Sequence, residues 1–154
     1  MSVFLANEQS LELDTAELRG LAELVLADEG YPPSTEVTIL LVEDEEMAGY
    51  NQRFLDHAGP TDVLAFPVES LIPGLVPDLD DRGPPLMAGD VVIAPGYVSR
   101  QAERLGVSVE DEMVLMVAHG VLHLLGYDHE SEDDAELMER RERELLAKTG
   151  RERR

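Results

Sequence analysis

The chain has 154 residues, a length that fits one domain around one buried core. Apolar residues make up 44% of it, yet no run reaches the roughly 18 to 20 uncharged apolar residues of a membrane helix, which excludes a bilayer-spanning helix. The absence of cysteine excludes disulfides, thiolate metal sites and thiol nucleophiles, and 12 Lys and Arg against 33 Asp and Glu give a formal charge of −21, which repels polyanions by default.

The first ten residues, MSVFLANEQS, lack the order of charged, apolar and small residues found in a signal peptide, so a soluble cytoplasmic protein is expected. Residues 2–6 read as a short strand. Asp14, Thr15 and Glu17 then open an amphipathic helix with Leu18, Leu21, Leu24 and Val25 on one stripe, and Gly30 with Pro32 and Pro33 breaks it. Residues 37–42 form a continuous apolar, β-branched run, followed by Glu43, Asp44, Glu45 and Glu46, the acidic first turn of a helix expected to reach Leu55. Residues 62–66, ended by Pro67, and residues 90–94 read as two further strands. Between them, residues 70–88 are rich in Pro, Gly and Asp and read as a long surface loop.

The second half is helical. A short helix over 97–105 is stopped by Gly106, and Ser108 with Asp111 marks the start of the next. From Met113 to Leu125 that helix is apolar on nearly every side and is expected to form the buried centre of the domain, with Gly126 ending it. A last amphipathic helix carries Leu137, Met138, Leu145 and Leu146 on its inner side. The order is that of an α+β domain, a small mixed sheet of about four strands packed against five helices. Residues 1–150 are expected to form this single domain and 151–154 a polar C-terminal tail. Seven of the 12 basic residues fall in 140–154, which reads either as a solvated terminal helix with a frayed tail or as a local basic surface.

Three of the four histidines, His119, His123 and His129, lie within eleven residues. On a helix, positions i and i+4 point the same way, so His119 and His123 can share one ion, and a turn at Gly126 can return His129 to it. A single histidine in an apolar helix is usually a packed residue hydrogen-bonded to backbone. Two at this spacing, with a third after the turn, would leave several buried nitrogens without partners, and one metal satisfies them together. Without cysteine, three neutral imidazoles predict one zinc ion with a fourth position left for water, whose pKa the metal lowers toward about 7. His57 lies outside the cluster and reads as an ordinary loop residue.

The spacing, with Gly126 seven residues after His119, resembles the H-E-x-x-H-x-x-G-x-x-H motif of metzincin proteases. Those proteases carry a glutamate base directly after the first histidine, where this chain has Gly120. Asp128 either replaces that base or orients a ligand imidazole from behind.

The segment His119 to His129, H-G-V-L-H-L-L-G-Y-D-H, resembles the signature of the YbeY family of bacterial endoribonucleases. Pro60-Thr61-Asp62-Val63-Leu64-Ala65-Phe66-Pro67 is similar to that family's P-T-D-V-L-S-F-P stretch, Gly89 to Ile93 to its G-D-I-x-I strand, and Asn51 stands ten residues before Thr61 as in the family. The resemblance implies a zincin-like fold, one zinc on His119, His123 and His129, and cleavage of single-stranded RNA by a metal-activated water. It further implies action on ribosomal RNA, notably at the small-subunit 3′ end, together with ribosomal proteins or an assembly GTPase. Where many members have an Arg six residues before the Thr, this chain has Leu55. Arg53 lies two residues along the same helix, roughly 200 degrees around it, so it is expected to point elsewhere. Arg53, Arg82, Arg100 and Arg104 are the other basic residues considered for RNA contact, and Asp62 is a candidate for orienting water or a ligand. The alternatives are a zinc hydrolase of peptides or amides and a non-enzymatic ribosome-assembly factor with a structural zinc.

Overall fold

The computed structural model describes residues 2–55, 59, 61–79 and 82–151. His57, Pro60, Arg153 and Arg154 lie outside the described residues. The elements follow in the order β1 (Val3–Glu8), α1 (Thr15–Asp28), β2 (Glu36–Val42), α2 (Asp44–Leu55), β3 (Val63–Pro67), β4 (Met87–Ile93), α3 (Pro95–Leu105), α4 (Val109–Leu124) and α5 (Glu132–Lys148). This is the expected α+β order.

The four strands form one mixed sheet in the order β1-β2-β4-β3. β1 and β4 each run parallel to β2, with Val3 opposite Val37 and Ile39 opposite Val91, while β3 runs antiparallel to β4, with Ala65 opposite Val91. β4 starts at Met87 rather than at Asp90, because Met87 pairs with Glu36 and Gly89 with Val37 and Pro67. A proline and a glycine weaken a strand signal in sequence, yet an edge strand tolerates Pro67 and the close approach suits Gly89.

One face of the sheet carries the main core. Val3, Val37, Ile39, Val91 and Ile93 pack there against Leu21 and Val25 of α1 and Met113, Val117 and Val121 of α4. The opposite face holds a smaller cluster of Val42, Met47, Leu64, Val92 and Ala94, covered by α2. α4 touches α1, α3, α5, β3 and β4, which explains why its sequence is apolar nearly all round.

The helix ends follow their local chemistry. Asp14, Ser108 and Ser131 each accept a backbone N–H three residues on, which satisfies a donor that the helix leaves unpaired. α3 begins at Pro95, two residues before the expected start, since proline at the first helical position gives up no hydrogen bond. After α4, Gly126 takes φ +103°, and the Tyr127 N–H reaches back to the Leu122 carbonyl at 3.1 Å.

Three cations of the basic C-terminal segment help to hold the fold. Arg141 pairs with Asp28 at 2.7 Å and Glu29 at 2.6 Å, Lys148 also pairs with Asp28, and Arg151 pairs with Glu17 at 2.6 Å and with Asp111. Arg151, expected as the first residue of the tail, is thus tied to α1 and α4. These three cations meet carboxylates of the chain itself.

Candidate metal centre

α4 positions the first two histidines. His119 and His123 stand one turn apart with ring centroids 4.7 Å from each other. The turn at Gly126 brings His129 back, its ring centroid 5.8 Å from that of His119 and 5.2 Å from that of His123. One ring nitrogen from each of the three lies within 4.8 Å of the others. The turn is tight because the loop after β3 packs on it: a Cβ at position 126 would sit 2.2 Å from the Leu71 carbonyl oxygen. Glycine is required there by both conformation and space.

The rings are held from behind. Glu142 of α5 is 1% exposed, and its Oε2 lies 2.6 Å from Nδ1 of His119. A carboxylate accepts the Nδ1 proton, so the Nε2 lone pair of His119 is left for the cleft. The backbone carbonyl of Tyr127 accepts a hydrogen bond from the His123 ring. Burial, then the neighbouring His119 and His129, push the His123 pKa down to about 4, so this ring is neutral at pH 7 with a lone pair to donate. Three converging imidazoles, one already oriented by a buried carboxylate, fit a metal ion.

Glu142 was not singled out from the sequence, although a signal existed. It lies on the Met138, Leu145, Leu146 stripe of α5, where an acid stands among buried apolar residues. A charge on the inner face of a helix needs a partner, and His119 is that partner.

Gly120 faces the sheet. A Cβ there would lie 2.5 Å from Cγ1 of Val91 and 3.4 Å from Cγ2 of Val63. The position that bears the base in the protease motif is therefore pressed against β4 and β3, with no room for a glutamate.

The histidines open on a cleft of about 830 Å³ between α4, the edge strand β3 and the end of α2. Asp62, Asp128, Glu130 and Glu142 line it, and among the described residues no Lys or Arg does. Asp62 is engaged at both oxygens: Oδ1 accepts from the Val63 N–H at 2.8 Å and the Thr61 hydroxyl at 3.2 Å, and Oδ2 from the Gln101 amide at 3.4 Å. Gln101 also donates to the buried Glu112 at 2.8 Å. Asp128 accepts the Glu130 N–H at 3.2 Å. Leu55 lines the cleft, half exposed, so the position six residues before Thr61 presents an apolar side chain there. Arg53 stacks over the rings of Tyr50 and Phe54 at 5.1 and 5.5 Å, as expected for a helix that continues to Leu55. Arg100 pairs with Asp44, and Arg82 and Arg104 do not line the cleft.

Comparison with known proteins bears on the family and the fold. Residues 4–150 match the family model described as endoribonuclease YbeY. The chain belongs to that family. It is similar to proteins named endoribonuclease YbeY from Acidothermus cellulolyticus, 44% identical over 95% of this chain and 90% of the relative, and from Thermobifida fusca, 43% identical over 96% and 93%. A Mycobacterium tuberculosis protein of the same name is 41% identical over 90% of this chain and 77% of its own length. The fold is similar to a solution structure from Thermotoga maritima, with a TM-score of 0.62 and 25% identity over 96% of this chain and 91% of that one.

Proposed function

We propose that this member of the YbeY family is a zinc-dependent endoribonuclease, specific for single strands, that acts in maturation of ribosomal RNA at the small-subunit 3′ end and in ribosome assembly or quality control. The observation that carries the reading is the convergence of His119, His123 and His129 on one cleft, within a chain that matches the family over nearly its whole length. In this reading residues 1–150 form one catalytic domain that works in the cytoplasm, with ribosomal RNA, ribosomal proteins or an assembly GTPase as partners. No helix of the described residues is long and apolar enough to cross a membrane.

A zinc ion, when bound, supplies Lewis acidity for phosphodiester hydrolysis. The chain's own residues have separable tasks. His119, His123 and His129 hold the ion, and Glu142 fixes the tautomer of His119. Asp128 and Asp62 are the candidate proton acceptors for the attacking water. With Glu142 orienting His119 and with both Asp62 oxygens engaged, Asp128 is the stronger of the two. The carboxylates of the lining, with no Lys or Arg among the described residues to balance them, give the ion a further task, since little else in the cleft offsets the charge of a phosphate.

The test is substrate competition with the purified, zinc-loaded protein. Cleavage of single-stranded RNA, with duplex RNA and peptides left intact, is the expected result. Cleavage of peptides with RNA untouched supports the peptidase alternative, and inertness toward both supports a non-enzymatic assembly factor.

A further inference from the structure

The end of α2 puts apolar residues where a nuclease cleft ordinarily carries positive charge. Phe54 is 57% exposed and Leu55 48% exposed, and both line the cleft that holds the three histidines. An exposed phenylalanine on a helix end gains nothing for the fold from the part left in water. Phe54 is nonetheless held in position. Its ring meets Phe66 of β3 edge-on at 5.2 Å and stacks with Tyr50 at 6.1 Å, and the Arg53 guanidinium lies 5.5 Å from its centroid. Three rings and one cation therefore build a fixed aromatic shelf at the lip of the cleft.

The charge of the molecule decides what the shelf can hold. A polyanion approaching a chain of net charge −21, into a cleft lined by carboxylates, gains little from phosphate contacts beyond the metal itself. Bases carry no charge, and each offers a π-face whatever its identity.

We propose that Phe54, supported by Phe66 and Arg53, is a stacking subsite for an unpaired nucleobase of the RNA strand whose phosphate reaches the histidine centre. The inference rests on the endoribonuclease reading and deepens it. Bases inside a duplex are stacked on each other and unavailable to the shelf, so selectivity for single strands follows from the way the substrate is held. Arg53 presents a cation to the same aromatic stack without itself lining the cleft.

The test uses the zinc-loaded wild-type chain, Phe54→Ala and Phe54→Trp. The substrates are a single-stranded RNA oligonucleotide and a series with one abasic site moved along the strand. The expected result is a rise in KM of about tenfold for Phe54→Ala, with recovery in Phe54→Trp, with zinc content unchanged and with the variant still folded at the assay temperature. One abasic position should raise KM for the wild type to a similar degree and add little for Phe54→Ala, because both remove the same contact. Unchanged KM in Phe54→Ala, or indifference of the wild type to every abasic position, overturns the subsite while leaving the endoribonuclease reading intact. Failure of the wild type to cut any RNA overturns both.

Discussion

The Glu142 carboxylate, on a helix that follows the histidine segment, meets Nδ1 of His119 at 2.6 Å in a buried position. This contact joins the last helix of the fold to its chemical centre. It also predicts that Glu142→Gln lowers metal affinity by about 10- to 100-fold, since an amide binds the ring less strongly and no longer fixes its tautomer. Competition against a chelator of known strength measures this. Equal affinity in the two proteins would show that His119 needs no orienting partner.

The clamp beside that contact is equally specific. Arg141 precedes Glu142 and ties α5 to Asp28 and Glu29. Removing it in Arg141→Ala leaves Asp28 with Lys148 and Glu29 with the Tyr127 hydroxyl, so the charge-assisted hydrogen bonds of Arg141 are what is lost, at an expected cost of about 1.5 to 3 kcal/mol in chemical denaturation. Hydrogen bonds from Lys148 and Arg141 hold Asp28 below the usual carboxylate pKa. Its contribution to stability is therefore full above pH ~3.9 and is lost as pH falls from there through the lower folded value. The wild type should show this acid loss, and Arg141→Ala a shallower one in the same window.

His123 gives a second pH signature, in the metal-free protein. Its folded pKa of about 4 lies below the unfolded value of ~6.5. The unfolded chain therefore binds the extra proton first. Stability is full above pH ~6.5 and falls progressively toward pH 4. Thermal melts of metal-free protein across this range check it, and a flat profile would mean that His123 is not held neutral by its surroundings.

Gly120 predicts a packing effect. Gly120→Ala should destabilise by about 1 to 3 kcal/mol, because the new methyl meets Val91 at 2.5 Å where α4 lies on the sheet. Gly20, exposed within α1 with nothing inside 4 Å of a Cβ, is the control, and Gly20→Ala should gain roughly 1 kcal/mol. Denaturant midpoints separate the two. Equal shifts would mean that the sheet yields at Val91.

The sequence made the local features legible and left the distant ones obscure. The acidic first turn of α2, the Ser108 cap and the Gly126 turn depend on neighbouring residues, and each element that they bound appears where expected. The histidine cluster was legible for the same reason, being spread over eleven residues with helical spacing. Strand ends such as Met87 depend on a partner strand some fifty residues away and were read too late in the chain. Glu142 and Arg141 find their roles 23 and more than 100 residues from themselves in sequence, and only packing brings those partners together. The same holds for the aromatic shelf, where Phe54 and Phe66 meet across α2 and β3.

The most direct measurement of the central claim is metal content and single-stranded RNA cleavage on the same preparations of wild type and His123→Ala. The wild type should carry one zinc per chain and cut the RNA, and His123→Ala should lose both together while keeping its fold by circular dichroism. Cleavage at the wild-type rate by a metal-free, folded His123→Ala would contradict the account.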